Sequence, residues 1–238
     1  MLPDFLKNLM PRGSHRAAAA SWPEALREYM ANRGRTPKRK PLSEVRFVVF
    51  DSETTGLDLS KNRLLSIAGV SMTGPVVHLD DTFEAMVAQT DVGGADAAVV
   101  HGLVSHDLAG GLPEDEAAAR FLAFARDAVL VAHHAAFDMQ MLRKAIAPHR
   151  GAKVWNPSID TAQLAQRVEV SPMASGDSER PDQGRAYQLD NLVERYDIEI
   201  PERHTAAGDA LATALLFQRL LKKAEHRGIH TLGDLLAR

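Results

Sequence analysis

Three short stretches of the chain place carboxylates beside apolar segments in a way that could support chemistry. The first is FVVFDSETTG, residues 47–56, in which Asp51 and Glu53 follow four apolar residues. Residues two apart on a strand point to the same side, so both carboxylates share one face at the end of the strand. Two such carboxylates repel each other, and a divalent cation would remove the repulsion. An isolated Asp-x-Glu more often marks two exposed acids at the start of a loop. Because an apolar strand leads into these two acids, the stretch instead predicts a cation site.

The second stretch is VAHHAAFD, residues 131–138, where a short apolar segment leads into a helix with Asp138 in its first turns. The acid could bind a metal, but the favourable interaction of a carboxylate with a helix N-terminus explains it equally well. His133 and His134 are candidates for function, and we expect at least one of them to be a hydrogen-bonded core or turn residue.

The third stretch is HTAAGDA, residues 204–210, in which Asp209 lies five residues after His204. Five helical residues rotate through about 140°, so the two side chains cannot share a face inside one helix. They converge only if His204 precedes the helix, with Thr205 as its N-cap. Taken alone, a His and an Asp at this spacing prove little.

Hydrophobic patterning predicts the elements that must position these residues. Three short β-rich runs come first. Helical patterns follow, interrupted by one further strand and by a short segment around Ile159. The strands are RFVVFD, RLLSIAGVSM, PVVHLD and VLVAHH, and the helices are PEDEAAARFLAFARDA, AAFDMQMLRKAIA, DTAQLAQRV, YQLDNLVERY and HTAAGDALATALLFQRLLKK. This order favours an α/β fold, a central sheet with helices on both faces.

The amino-acid composition limits the kinds of catalytic group and metal site that the chain can form. The chain has 238 residues, 45% of them hydrophobic and 25% charged, as in an ordinary globular protein. It has no cysteine, so thiolate nucleophiles, disulfides and zinc–cysteine sites are excluded, and any metal must be held by oxygen or imidazole. No apolar run approaches the roughly 20 residues of a membrane helix, and we expect a cytoplasmic protein without membrane association.

Positive charge is concentrated near the N-terminus, although the formal net charge is −3. Residues 1–44 are predicted to form an N-terminal helical extension, with a helix in SWPEALREYMANRG, followed by a basic linker. The basic residues from Arg33 to Arg46 could contact a nucleic-acid backbone. A solvated linker is the alternative.

The order of the three stretches resembles the three exonuclease motifs of the DEDDh family, which are Asp-x-Glu, then a His-x-Ala-x-Phe-Asp segment, then a His preceding an Asp-Ala pair. This family comprises ribonuclease-H-like 3′-to-5′ exonucleases, among them the proofreading (epsilon) subunit of bacterial DNA polymerase III. The resemblance covers roughly Val45 to Leu221 and includes VVHGL, SIDTAQLA and YQLDNLVERYDI. It implies a ribonuclease-H-like mixed central sheet flanked by helices on both faces, in an exonuclease domain over residues 45–238 with a loop insertion at about 171–186.

The resemblance implies that four acids and one histidine are catalytic, namely Asp51, Glu53, Asp138, Asp209 and His204. Carboxylates suit two Mg²⁺ or Mn²⁺ ions. We assign Asp51 as the bridging ligand, Glu53 and Asp209 to the ion at the attacking water, and Asp138 to the second ion. Histidine ordinarily titrates at about pH 6.5, which makes His204 the candidate general base.

The resemblance also assigns contacts to the terminal nucleotide, namely Thr54, Thr55, Gly56, Leu57, His101, His134 and Phe137. Thr-Thr-Gly is also an ordinary turn, and Phe137 also fits a core position. Two positions depart from the family pattern. Ser52 stands where Thr is usual and is expected to be neutral because its side chain points away from the acids. His134 stands where Asn is common, which affects the local substrate contacts.

The implied function is metal-dependent 3′-to-5′ hydrolysis of single-stranded DNA to nucleoside 5′-monophosphates, by a free-standing enzyme or with a DNA polymerase as partner. RNA is an alternative substrate, because the acids do not discriminate between sugars and only a contact to the 2′-hydroxyl would. An inactive nucleic-acid-binding or docking module is a third hypothesis. Loss of one acid would have favoured it, but all four are present.

Overall fold

The computed structural model describes residues 21–32, 34, 36–89, 108, 110–169 and 183–237. Within these ranges the chain forms a five-stranded sheet with strand order β3-β2-β1-β4-β5. The first three strands pair antiparallel, whereas β4 lies parallel to β1 and to β5. The strands are β1 (Arg46–Thr54), β2 (Leu64–Thr73), β3 (Val76–Met86), β4 (Val129–Ala132) and β5 (Ser158–Asp160). The predicted α/β class with a mixed central sheet is confirmed.

The described helices include all those that the sequence predicted. They are α1 (Glu24–Ala31), α2 (Glu114–Ala125), α3 (Ala136–Ile146), α4 (Thr161–Val168), α5 (Gln183–Ala186), α6 (Leu189–Arg195), α7 (Ala206–His226) and α8 (Leu232–Leu236). The short helix α5 lies at the end of the predicted 171–186 loop, most of which falls outside the described residues. Across the described ranges, no helix combines the length and apolarity that crossing a membrane requires.

Strand β1 is buried on both faces, which explains its continuous apolar run. Phe47 packs edge-on against Phe217 of α7, with ring centroids 5.0 Å apart. Phe50 packs on the other face against Phe121 of α2, at 4.9 Å. Because successive side chains alternate, odd-numbered residues of β1 face α7 and even-numbered residues face α2 and α3.

The N-terminal residues that the structure describes are attached to this core. In α1, Leu26 and Tyr29 are buried, and the Tyr29 hydroxyl donates to Asn156 Oδ1 at 2.7 Å. The segment expected to be a linker is bonded through its main chain to α8. The Lys38 carbonyl accepts from the Gly233 N–H at 2.6 Å, and the Lys40 carbonyl accepts from the N–H of residue 232 at 3.0 Å.

Candidate active site

Three of the predicted acids meet at the carboxyl end of β1. Asp51, Glu53 and Asp209 each offer a carboxylate oxygen, and these oxygens all lie within 4.8 Å of one another. Asp51 and Glu53 are odd-numbered residues of β1 and share its α7 face, whereas Asp209 lies in the first turn of α7. The two-residue period of the strand and the docking of α7 therefore bring the three carboxylates together.

The fourth acid, Asp138, reaches the same strand end from the opposite face. It is buried in the first turn of α3, and its Oδ1 accepts a hydrogen bond of 2.5 Å from Ser52 Oγ. The expectation that Ser52 points away from the acids is therefore wrong. Ser52 does point away from the α7 face, but α3 covers the face to which it points, and α3 supplies Asp138.

Burial raises the pKa values of all four acids, and nearby carboxylates add to the rise. Burial, followed by the neighbouring carboxylates, raises the pKa of Asp51 well above its ordinary value. Burial, then Asp209 and Asp138, raise the pKa of Glu53 to about 7. Burial also raises the pKa of Asp138 to about 7, against the Ser52 hydrogen bond. A cation held among these oxygens would therefore favour their ionised forms.

Arg203 is a site residue that sequence reasoning missed. Its guanidinium forms ion pairs with Asp209 and with Asp190 of α6. Burial raises the pKa of Asp209, and the positive charge of Arg203 opposes that effect. The one signal in the sequence is a basic residue directly before His204.

His204 lies on the loop that enters α7, as the sequence predicts. Thr205 caps the helix, with its Oγ1 accepting from the Gly208 N–H at 3.0 Å. The His204 N–H donates to Asp209 Oδ1 at 3.2 Å, while the imidazole is exposed. A Cβ at position 208 would lie 1.7 Å from the carbonyl oxygen of Glu202, so glycine is required for the loop to fold back over the helix start.

The Thr-Thr-Gly turn uses its hydroxyl groups internally. Thr54 Oγ1 donates to the Gly56 carbonyl at 2.7 Å, and Thr55 Oγ1 donates to Asn62 Oδ1 at 3.3 Å. Gly56 has φ 152°, and a Cβ there would lie 2.7 Å from the Asn62 amide nitrogen. Leu57 is 85% exposed beside this well-defined turn.

The other residues that were predicted to contact the terminal nucleotide lie in different surroundings. His101 lies outside the described residues. Phe137 is half-buried and packs against the core that α2 and α3 share. His134 is exposed at φ 55°, a conformation for which Asn, Asp and His are enriched, and this explains why His can replace Asn there.

His133 is the hydrogen-bonded histidine that the sequence predicts. It is buried, its Nδ1 lies 2.8 Å from Thr161 Oγ1, and its ring packs edge-on against His134 at 4.5 Å. Burial, then the neighbouring His134, lower the pKa of His133 to about 4. Its imidazole is therefore neutral at physiological pH.

Acids clustered at the carboxyl end of a central strand, on a mixed sheet of this order, form a group of oxygens that could hold a metal ion. The family model described as Exonuclease (RNase_T) matches residues 48–217, and the chain belongs to this family. It is 37% identical over 199 residues to the DNA polymerase III subunit epsilon-like protein of Rhodobacter capsulatus, a match that covers 82% of this chain and 26% of that protein. It is 32% identical over 191 residues to the DNA polymerase III PolC-type of Halalkalibacterium halodurans, covering 79% of this chain and 12% of that protein.

Solved structures agree on the fold. Escherichia coli exonuclease I in complex with a dT13 oligonucleotide superposes with a TM-score of 0.64 at 14% identity, covering 78% of this chain and 43% of that chain. Cell-death related nuclease 4 gives a TM-score of 0.57 at 14% identity, with 76% and 64% covered. These likenesses establish a ribonuclease-H-like fold. The chain spans about a quarter of the Rhodobacter relative and about an eighth of the PolC relative.

Proposed function

We propose that this chain is a 3′-to-5′ exonuclease that hydrolyses phosphodiester bonds at the 3′ ends of single-stranded DNA and releases nucleoside 5′-monophosphates. The observation that carries the proposal is the convergence of Asp51, Glu53 and Asp209 at the end of β1. Ser52 holds Asp138 at the same strand end. Membership of the exonuclease family supports the reaction class.

Divalent metal ions fit this set of donors. Exonucleases of this family use such ions, and the acidic cluster suits them. We propose two Mg²⁺ or Mn²⁺ ions, which Asp51, Glu53 and Asp209 would hold together with Asp138. When bound, the ions would stabilise the negative charge that develops on the phosphate and on the leaving oxygen.

His204 is proposed to accept the proton of the attacking water. The water oxygen bonds to phosphorus, the bond from phosphorus to the 3′ oxygen of the preceding nucleotide breaks, and that oxygen takes up a proton. The imidazole is exposed, and the His204 N–H is bonded to Asp209, which keeps the histidine next to the acid cluster. A positioned base of this type contributes about 10² to 10⁴ to the rate.

The nucleotide contacts are proposed from the same geometry. Both threonine hydroxyls are engaged inside the turn, so Leu57 and the turn backbone are the groups that face a terminal nucleotide. His134, which is exposed, and His101 are further proposed contacts, whereas the packing of Phe137 favours a core role.

The finer identity of the protein is also a proposal. The names of its relatives favour DNA as substrate and a replicative DNA polymerase as partner, with proofreading as the role. We propose the cytoplasm as its compartment, a location that suits a cysteine-free chain.

Digestion of matched DNA and RNA oligonucleotides labelled at the 5′ end tests the proposal. We expect a ladder that shortens from the 3′ end with Mg²⁺ or Mn²⁺, no digestion with chelator, and faster digestion of DNA. Faster digestion of RNA would instead identify an exoribonuclease. If intact wild-type protein binds both oligonucleotides but digests neither with either metal, the inactive-module hypothesis is correct.

A further inference from the structure

The turn between β1 and β2, residues 55–63, is closed by its own hydrogen bonds. The Thr55 N–H donates to the Arg63 carbonyl at 3.0 Å, and the Arg63 N–H donates back to Thr55 Oγ1 at 3.1 Å. The turn starts two residues after Glu53. It carries Leu57, which is 85% exposed and lies four residues after Glu53 along the chain.

Lys144 connects this β1–β2 turn to helix α3. Its side chain is half-buried, and its ammonium donates to the carbonyl of Leu59 at 2.9 Å and to that of Asn62 at 2.5 Å. A partly desolvated ammonium needs such partners, and the two carbonyls can provide them only while the turn keeps its place. Leu59 also packs against the core on this side of the sheet.

Helix α3 also carries Asp138, six residues before Lys144. Helix α3 therefore positions both Asp138 and, through Lys144, the part of the turn that contains Leu59 and Asn62. Positioning matters here, because displacement of reacting groups by about 1 Å can lower a rate about 10²-fold.

We propose that Lys144 is a positioning residue that fixes the β1–β2 turn, and with it Leu57, relative to the acids. The 3′-terminal nucleotide held on this turn is thereby placed with its scissile phosphate at the acid cluster. This inference rests on the proposed exonuclease function. Lys144 acts through the turn and does not touch the reacting atoms.

Arg143 provides a matched control, because it neighbours Lys144 on α3, carries the same charge and is exposed. We expect Lys144→Met to lower kcat/KM on single-stranded oligonucleotides about 10- to 100-fold, mainly through kcat, with Mn²⁺ affinity unchanged within about twofold. Lys144→Arg should restore most of the loss, because it retains donors for the two carbonyls. Arg143→Met should stay within about twofold of wild type. Equal effects of Lys144→Met and Arg143→Met would overturn the inference, as would a joint loss of metal affinity.

A double-mutant cycle with Leu57→Ala tests whether Lys144 acts through the turn. The double variant should be about as active as the less active single variant, whereas fully additive losses would contradict the proposal. If Lys144→Met does not fold, Lys144→Gln takes its place in the cycle.

Hydrogen exchange measured without substrate separates the two proposals. In Lys144→Met, amides of residues 55–63 should exchange about tenfold faster while those of β4 are unchanged. Faster exchange together with an inactive wild type would leave the contact standing and refute the exonuclease function. Unchanged exchange with an active wild type would refute only the role of Lys144.

Discussion

Protonation of Glu53 should govern part of the protein's stability in the absence of divalent metal. Burial, Asp209 and Asp138 raise the pKa of Glu53 from an ordinary value of 4.5 to about 7 in the folded protein. The folded state therefore binds the proton more tightly than the unfolded chain. The stabilisation that the folded protein gains from binding this proton is complete below pH 4.5 and is lost as the pH rises to about 7.

The size of the effect follows from the two pKa values. At about 1.36 kcal/mol per pH unit, the interval from 4.5 to about 7 corresponds to about 3 kcal/mol of unfolding free energy. Asp51 and Asp138 contribute with the same sign, since their pKa values are also raised. Wild-type protein in chelator should therefore be less stable at pH 8 than at pH 5, and Glu53→Gln should lack about 2 to 3 kcal/mol of that difference.

Urea unfolding of wild type and Glu53→Gln at both pH values, in chelator, measures this directly. The exposed Glu44→Gln serves as the control for loss of one carboxylate. If wild type and Glu53→Gln change in parallel, within about 0.5 kcal/mol, burial and carboxylate repulsion do not raise the pKa of Glu53 as described.

Four further predictions concern the site and the N-terminal basic segment. Asp51→Ala should abolish hydrolysis while leaving or raising the unfolding temperature in chelator, because it relieves repulsion; near-normal Mg²⁺-dependent turnover would contradict the metal assignment. His204→Asn, which tolerates the positive φ, should lower kcat by about 10² to 10⁴ with unchanged Mn²⁺ affinity by titration calorimetry, and a loss of affinity instead would make His204 a ligand. Ser52→Ala should cost about 1 kcal/mol, or about fivefold in kcat, through the misplaced Asp138 carboxylate, whereas Ser52→Thr should be nearly normal in the same assay. Replacing the exposed Lys38 and Arg39 by Gln should lower the salt slope of binding to long oligonucleotides by about 2 without affecting dinucleotides, and an unchanged slope would indicate a solvated segment.

Local periodicity was sufficient to predict which residues lie on which side of β1. The run from Phe47 to Phe50 is apolar on both faces because helices cover both, and the two-residue period then places Asp51 and Glu53 on one face. The rotation of a helix likewise predicts that His204 precedes α7. These inferences depend only on the local geometry of a strand or a helix, which residues adjacent in the sequence determine.

Contacts between distant segments could not be predicted in this way. Periodicity shows that Ser52 points away from Asp51, but only the docking of α3 reveals that Asp138 lies on that side. The ion pairs of Arg203 depend on the placement of α6 beside the start of α7.

The basic segment near the N-terminus is a further case in which composition could not predict the contacts that the chain makes. Lysine and proline favour a linker, but its main-chain carbonyls are bonded to α8 whatever the side chains are. Backbone hydrogen bonds of this kind have no signature in residue type.

Titration of Mn²⁺ into wild type and Asp51→Ala, in the presence of a nucleoside 5′-monophosphate, tests the metal site most directly. If the four acids form a two-metal site, wild type should bind two Mn²⁺ ions and Asp51→Ala should lose at least one of them. Equal Mn²⁺ binding by the two proteins, or wild-type hydrolysis that persists in chelator, would contradict the assignment of this cluster as the catalytic metal centre.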